Sequence, residues 1–240
     1  MLSIILVEPE KSENIGFIAR AMKNFEVSEL IILNPKELNE KAKYVAMHAK
    51  EIIENARVIF SDPKIALNDL KREFNLLIGT TGKYSHDKNL IRDVIECETF
   101  FREHINYNAK NAIVLGRESI GLTNEELLLC DCVITIETSK NYSIMNVSHA
   151  LSVILYVYYK YKKEKRSNAP KFKPLPRKEY EILIEKIDKI IDKIETNRPD
   201  RLDTMKKCWI RVLGKAKLTK AEGYVLMGFF EKIKRMLEKK

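Results

Sequence analysis

The first 160 residues alternate between short apolar runs and helical patterns, and that order restricts the fold more than any other feature. Six runs read as strands: Ser3–Val7, Glu29–Leu33, Val58–Phe60, Leu76–Gly79, Ala112–Leu115 and Val133–Ile136. Between them the spacing predicts helices over Ile15–Phe25, Lys41–Glu54, Pro63–Arg72, Leu90–Glu103 and Asn146–Tyr161. Continuous apolar strands separated by helices imply the α/β class, a parallel sheet with helices on both faces. Ligands on such sheets bind at the carboxyl ends of the strands. The residues that follow each strand are therefore where chemistry is expected.

The pattern changes near Lys160. A charged stretch leads into Pro170, Pro174 and Pro176, which reads as a semi-rigid linker over 163–178. Beyond it, Tyr180, Leu183, Ile184, Ile187, Ile190, Ile191 and Ile194 recur at helical spacing. A second helix is expected around Trp209. A third opens at Thr219, with Glu222 completing a capping box. Its buried stripe is expected to be Val225, Leu226, Phe229, Phe230, Ile233 and Leu237. The organisation is thus a domain over 1–162, the linker, and a small helical domain over 179–240. Residues 163–240 hold 23 Lys+Arg against 12 Asp+Glu, whereas residues 1–162 hold 20 against 22. A positive charge so placed suits a polyanion such as nucleic acid. A well-solvated lysine surface fits the same numbers.

Several classes are excluded. Only Cys130 and Cys132 of the four cysteines are close in sequence, and no zinc spacing is present, so no metal is expected. Buried free thiols in a reducing compartment fit better. Leu2–Val7 lacks a basic leader and meets Glu8 and Glu10 at once, unlike a signal peptide. The longest apolar stretch, Ala150–Tyr159, is half of the ~20 residues of a bilayer span. A cytoplasmic protein without a membrane segment is expected.

Four strand ends carry residues that a sheet does not require. Glu8 to Gly16 follows the first strand and leads to Arg20. Asn14 there suits a helix cap, and an arginine among apolar neighbours suits either an anion or a snorkelling surface position. Gly79-Thr80-Thr81-Gly82-Lys83 follows the fourth strand and Gly116-Arg117-Glu118-Ser119-Ile120-Gly121-Leu122 the fifth. Paired glycines allow close backbone approach to a ligand, and equally suit tight turns. Asn141 to His149 follows the last strand. Neither GxGxxG nor a Walker lysine motif occurs, which disfavours an ordinary dinucleotide or P-loop site.

Together, and in this order, Asn14–Arg20, Leu115–Leu122 and Met145–Ala150 resemble the SpoU/TrmH family of SPOUT-class RNA methyltransferases, over about the first 160 residues. The stretch from Arg198 to Leu237, with Leu218-Thr219-Lys220-Ala221-Glu222 opening the last helix, is similar to the tail of the TrmJ branch. The resemblance implies a trefoil-knotted domain and a homodimer whose sites are completed by the partner. It implies S-adenosylmethionine as cofactor and ribose 2′-O-methylation of tRNA at position 32, the first residue of the anticodon loop. Ribosomal RNA as substrate, or a non-catalytic RNA-binding role, are the alternatives.

Carried onto this sequence, the resemblance assigns the cofactor to Thr80, Thr81, Gly82, Leu115, Gly116, Glu118, Ile136, Ile144, Met145 and Asn146. It assigns catalysis to Arg20, with Asn14 and Glu118 fixing the surrounding loops. Many family members carry serine directly before the Met/Leu-Asn pair, where this chain has Ile144, with Ser143 one place earlier. Adjacent residues need not point the same way, so Ser143 is a candidate on position alone.

Overall fold

The computed structural model describes residues 1–82, 94–139, 141–165, 173–194 and 200–238. Lys83, residues 90–93 of the expected helix Leu90–Glu103, Pro170 in the expected linker, and Arg198 lie outside the described residues.

Seven parallel strands form one sheet: β1 (Leu2–Val7), β2 (Glu29–Leu33), β3 (Arg57–Ile59), β4 (Leu76–Thr80), β5 (Val94–Glu96), β6 (Asn111–Leu115) and β7 (Cys132–Thr135). Their order is β3-β2-β1-β6-β4-β7-β5. β6 is thus inserted between β1 and β4, and β7 between β4 and β5, so the carboxyl ends of β4, β6 and β7 lie side by side. β1 shows why the sheet is covered twice. All six of its residues are buried, with Ile4 and Leu6 in one core and Ile5 and Val7 in the other.

The first face is covered by α1 (Ser12–Asn24), α2 (Glu40–Ala46), α3 (Lys50–Glu54) and α7 (Val147–Lys165), the second by α4 (Pro63–Leu70) and α6 (Asn124–Leu129). The first face also holds α5 (Cys97–Thr99), continued by a π-type turn over Phe100–His104, whose Phe100 and Phe101 join its core. Two expectations are corrected here. The expected helix Leu90–Glu103 contains β5, because Val94 and Ile95 pair with Val133 and Ile134 at the sheet edge. The expected helix Lys41–Glu54 is broken at Met47, whose φ of 51° leaves the helical region.

The bundle comprises α8 (Arg177–Ile191), α9 (Asp200–Lys215) and α10 (Lys220–Leu237), around Leu183, Ile187, Leu213, Met227 and Phe230. The Thr219–Glu222 capping box opens α10 as expected. Its expected stripe is met in part: Phe230 is buried and Leu226 and Ile233 pack against the core, but Val225 is 72% and Phe229 57% exposed, while Gly223 and Met227 face the core. A Cβ on Gly223 would meet the Leu175 side chain at 2.3 Å, so the close approach at that glycine sets the helix rotation.

The bundle is seated at the amino ends of β4 and β7. Asn75 donates to the Leu175 carbonyl, and the Arg177 guanidinium donates to the Asp131 carboxylate at 2.8 and 2.9 Å. Asp131 also accepts the Leu77 amide at 2.8 Å and is buried. Cys97, Cys130 and Cys132 are buried free thiols, and burial pushes the Cys97 and Cys130 thiols up to about 12.

Candidate active site

A cavity of about 410 Å³ opens where β4, β6 and β7 end. Thr80, Thr81 and Gly82 form one wall and Leu115, Gly116 and Glu118 a second. Ile136, Ser143, Ile144 and Met145 form a third. The structure therefore brings together all the sequence-assigned cofactor residues except Asn146, which stands at the entry to α7 next to this wall.

Asn146 belongs to a hydrogen-bonded chain that ties three loops. Its Nδ2 donates to Asn14 Oδ1 at 3.2 Å, and Asn14 Nδ2 donates to Glu118 Oε1 at 2.9 Å. Asn146 Oδ1 accepts the Ser148 amide and hydroxyl at 2.9 and 2.7 Å, capping α7. The Glu118 carboxylate also accepts the amides of Glu10 and Lys11, at 2.7 and 3.3 Å, just ahead of α1. A carboxylate there is favoured by the positive end of the helix dipole. Asn14 is thus not the helix cap. α1 starts at Ser12 after Lys11, which makes no side-chain cap, and the Asn14 amide is turned towards Glu118.

The loop after β6 is folded on itself. Arg117 and Gly121 exchange backbone hydrogen bonds at 3.2 and 2.9 Å, and Gly121 takes a φ of 71°. A Cβ on Gly116 would stand 2.1 Å from the Gly121 carbonyl carbon, so the absent side chain makes room for the loop itself. Thr80 Oγ1 donates to the Val114 carbonyl at 2.9 Å, and the Thr81 amide continues the sheet to Ile134.

Arg20 is not in this group. It is exposed on α1 and does not line the cavity. It lies one turn from Phe17, which is 44% exposed. α1 packs on α7, whose Tyr156 is also exposed, at 58%, with its ring 6.4 Å from Phe25. Ser143 lines the cavity, and its carbonyl accepts from Thr138 Oγ1 at 3.3 Å, while Ile144 is 63% exposed.

Sequence reasoning passed over Arg117, Glu8 and Glu126. Arg117 forms a paired contact with the two Glu126 oxygens at 2.9 Å and donates through Nε to Glu8 at 2.7 Å. Burial pushes the Glu126 carboxyl up, but Arg117 and the Thr123 amide outweigh it and hold it below the ordinary range. The signal that was available is Thr123-x-x-Glu126, a capping box opening α6.

The profile of the SpoU rRNA Methylase family matches residues 1–156. The chain belongs to this family. It is 35% identical, over 96% of its own length and 99% of the relative's, to a tRNA (cytidine-2′-O-)-methyltransferase TrmJ from Methanocaldococcus jannaschii. The TrmJ of Sulfolobus acidocaldarius is also 35% identical, over 65% of this chain and 63% of that protein. Among solved structures, TrmJ from Z. mobilis ZM4 superposes with a TM-score of 0.66 at 26% identity, covering 97% of this chain and 99% of that one. The SpoU methyltransferase AviRb from Streptomyces viridochromogenes, in complex with AdoMet, has the same fold, with a TM-score of 0.52 at 20% identity over 71% of this chain and 59% of that one.

Proposed function

We propose that this chain is a tRNA ribose 2′-O-methyltransferase that uses S-adenosylmethionine and acts at position 32 as a cytoplasmic homodimer. The observation that carries this reading is the length of the likeness to a tRNA (cytidine-2′-O-)-methyltransferase. It runs through the catalytic domain and on through the basic bundle.

The cavity suits the cofactor. Its volume lies in the ~300–1,000 Å³ range of small-molecule sites. Leu115, Val133, Ile134, Ile136 and Ile154 supply apolar surface. The Glu118 carboxylate is bonded to Asn14, and the Arg117 guanidinium is spanned by Glu8 and Glu126, so both charges in the lining are satisfied within the protein. The lining therefore presents no unpaired cation to a ligand that carries a sulfonium, and its apolar residues can take the adenine ring. S-adenosylmethionine supplies an already activated methyl group.

The chain's own residues align the ribose and stabilise charge on its oxygen. The Asn146–Asn14–Glu118 chain holds the three loops in register. Arg20 takes the cationic role, orienting a phosphate and polarising the hydroxyl. A guanidinium keeps its proton in proteins, so the hydroxyl proton leaves to phosphate or water. The absence of Arg20 from the lining of its own cavity, the exposed Phe17 one turn away on α1 and the exposed Tyr156 on the adjoining α7 support a dimer in which each Arg20 serves the partner's cavity. The trefoil knot is part of the same reading, supported by the insertion of β6 and β7 between earlier strands. The domain over 1–162 would hold the cofactor and the bundle over 179–240 the tRNA body.

Transfer of labelled methyl groups to total tRNA and total ribosomal RNA, followed by nucleoside analysis, tests the reading. A 2′-O-methylated nucleotide at tRNA position 32 is expected. Label confined to ribosomal RNA would replace tRNA as the substrate.

A further inference from the structure

Glu8 has an unusual backbone. Its φ is 46°, in the left-handed region that a glutamate rarely enters, at the point where β1 turns towards the site. Such outliers persist where their surroundings over-determine them, and they concentrate at functional sites. Here the Glu8 amide donates to the Leu33 carbonyl at 2.8 Å, and its side chain is held on both oxygens. Glu8 Oε2 accepts from Arg117 Nε at 2.7 Å, and Glu8 Oε1 accepts from Asn34 Nδ2 at 2.8 Å.

Arg117 in turn has its two terminal nitrogens on the two oxygens of Glu126. Glu126 is 2% exposed, and its Oε2 also accepts the Thr123 amide at 2.8 Å. One guanidinium therefore joins the end of β1, its own loop and the start of α6, in the planar bidentate geometry that only arginine provides. The next residue, Glu118, reaches the other side of the same loop, to Glu10, Lys11 and Asn14. The loop is stapled on two sides by consecutive residues.

We propose that Arg117 is a positioning residue, clamping the strained turn at Glu8 to α6 so that Glu118 and Asn14 are held in register with the cavity. The proposal rests on the methyltransferase reading, but its first readout does not depend on methyl transfer. With the clamp intact the amides of Glu10 and Lys11 are bonded to Glu118. Without it the turn at Glu8 relaxes, those bonds open, and the wall formed by Gly116 and Glu118 shifts.

The test compares Arg117→Lys, Arg117→Met and Glu8→Asn in the full-length protein. Asparagine tolerates the left-handed backbone but is too short to reach the guanidinium, so Glu8→Asn guards against a variant that fails to fold. Amide hydrogen exchange at Glu10 and Lys11 is expected to speed at least ten-fold in every folded variant, with the β1 and β6 amides unchanged. S-adenosylmethionine should bind about ten-fold more weakly and kcat should fall, while KM for tRNA stays within two-fold. Lysine should not rescue, since one ammonium cannot span both carboxylates. Unchanged exchange and cofactor affinity in folded Glu8→Asn would overturn the clamp, as would full rescue by lysine. A wild-type protein that transfers no methyl group to RNA would count against the methyltransferase reading, while the exchange result would still decide the clamp.

Discussion

Arg177, the first residue of α8, donates to both carboxylate oxygens of Asp131, the residue directly before β7. Both are buried, and Asp131 also holds the Leu77 amide. The bundle is thus attached at the amino end of the strand whose carboxyl end lines the cavity. The five steps of extended chain from Asp131 to Ile136 span about 16 Å, so the bundle and the cavity of one chain lie on opposite ends of the sheet.

Arg177→Met should destabilise the protein by about 3 kcal/mol, because it leaves the buried Asp131 charge with only the more distant Lys71, at 4.0 Å, as a partner. Denaturant unfolding measures this. Replacing both residues, as in Arg177→Met with Asp131→Asn, should recover part of the loss, since the uncompensated charge is gone.

Gly116→Val should abolish cofactor binding while unfolding stays cooperative. Any side chain there meets the backbone of Gly121 and Leu122, within 2.2 Å. The loop must open, and the wall it forms opens with it. Calorimetric titration with S-adenosylmethionine alongside thermal unfolding checks this, and normal affinity would place the cofactor elsewhere.

Arg20→Ala should leave the midpoint of unfolding and the cofactor affinity nearly unchanged, because Arg20 is exposed and outside its own cavity. Turnover should fall by about 10²-fold or more, the size of effect seen when one charge-stabilising donor is removed from an active site. Single-turnover methyl transfer decides the point. Equal rates would remove Arg20 from catalysis.

Acid should loosen the site through Glu126. Its carboxyl is held below the ordinary value of 4.5 in the folded protein. The stability it contributes is fully present above that value and is lost as the pH falls through its lower folded value. Glu126→Gln should therefore flatten the acid limb of the stability profile while lowering stability at neutral pH, as followed by thermal unfolding across pH.

Most of the sheet was legible because its strands are apolar without alternation, which only double coverage explains: Ile4 to Val7 is one such run. The site was legible as loops, since Thr80–Gly82 and Leu115–Gly116 follow strands that prove to be neighbours. Val94–Glu96 escaped notice because three residues at a sheet edge carry too little periodicity. Val225 and Phe229 were wrongly placed in the α10 stripe because two apolar faces compete on that helix, and Gly223 against Leu175 decides between them. The Arg117 clamp was invisible because Glu8 and Glu126 are distant in sequence, and each reads alone as a surface charge.

The basic bundle yields the last prediction. Deleting it would remove the Arg177 partner of Asp131 and uncover the sheet end it packs on, so its charge is better tested in place. Lys178, Arg201, Lys207 and Lys232 are exposed and form no ion pair among the described residues. Replacing them with glutamine, singly and together, should weaken tRNA binding without affecting cofactor binding. Each phosphate that is no longer neutralised should reduce the slope of log affinity against log salt by about 0.7–0.9. Filter binding over a salt series measures the slope. A fourfold variant with the wild-type slope would show that these cations form a solvated surface, and that the RNA lies against other parts of the molecule.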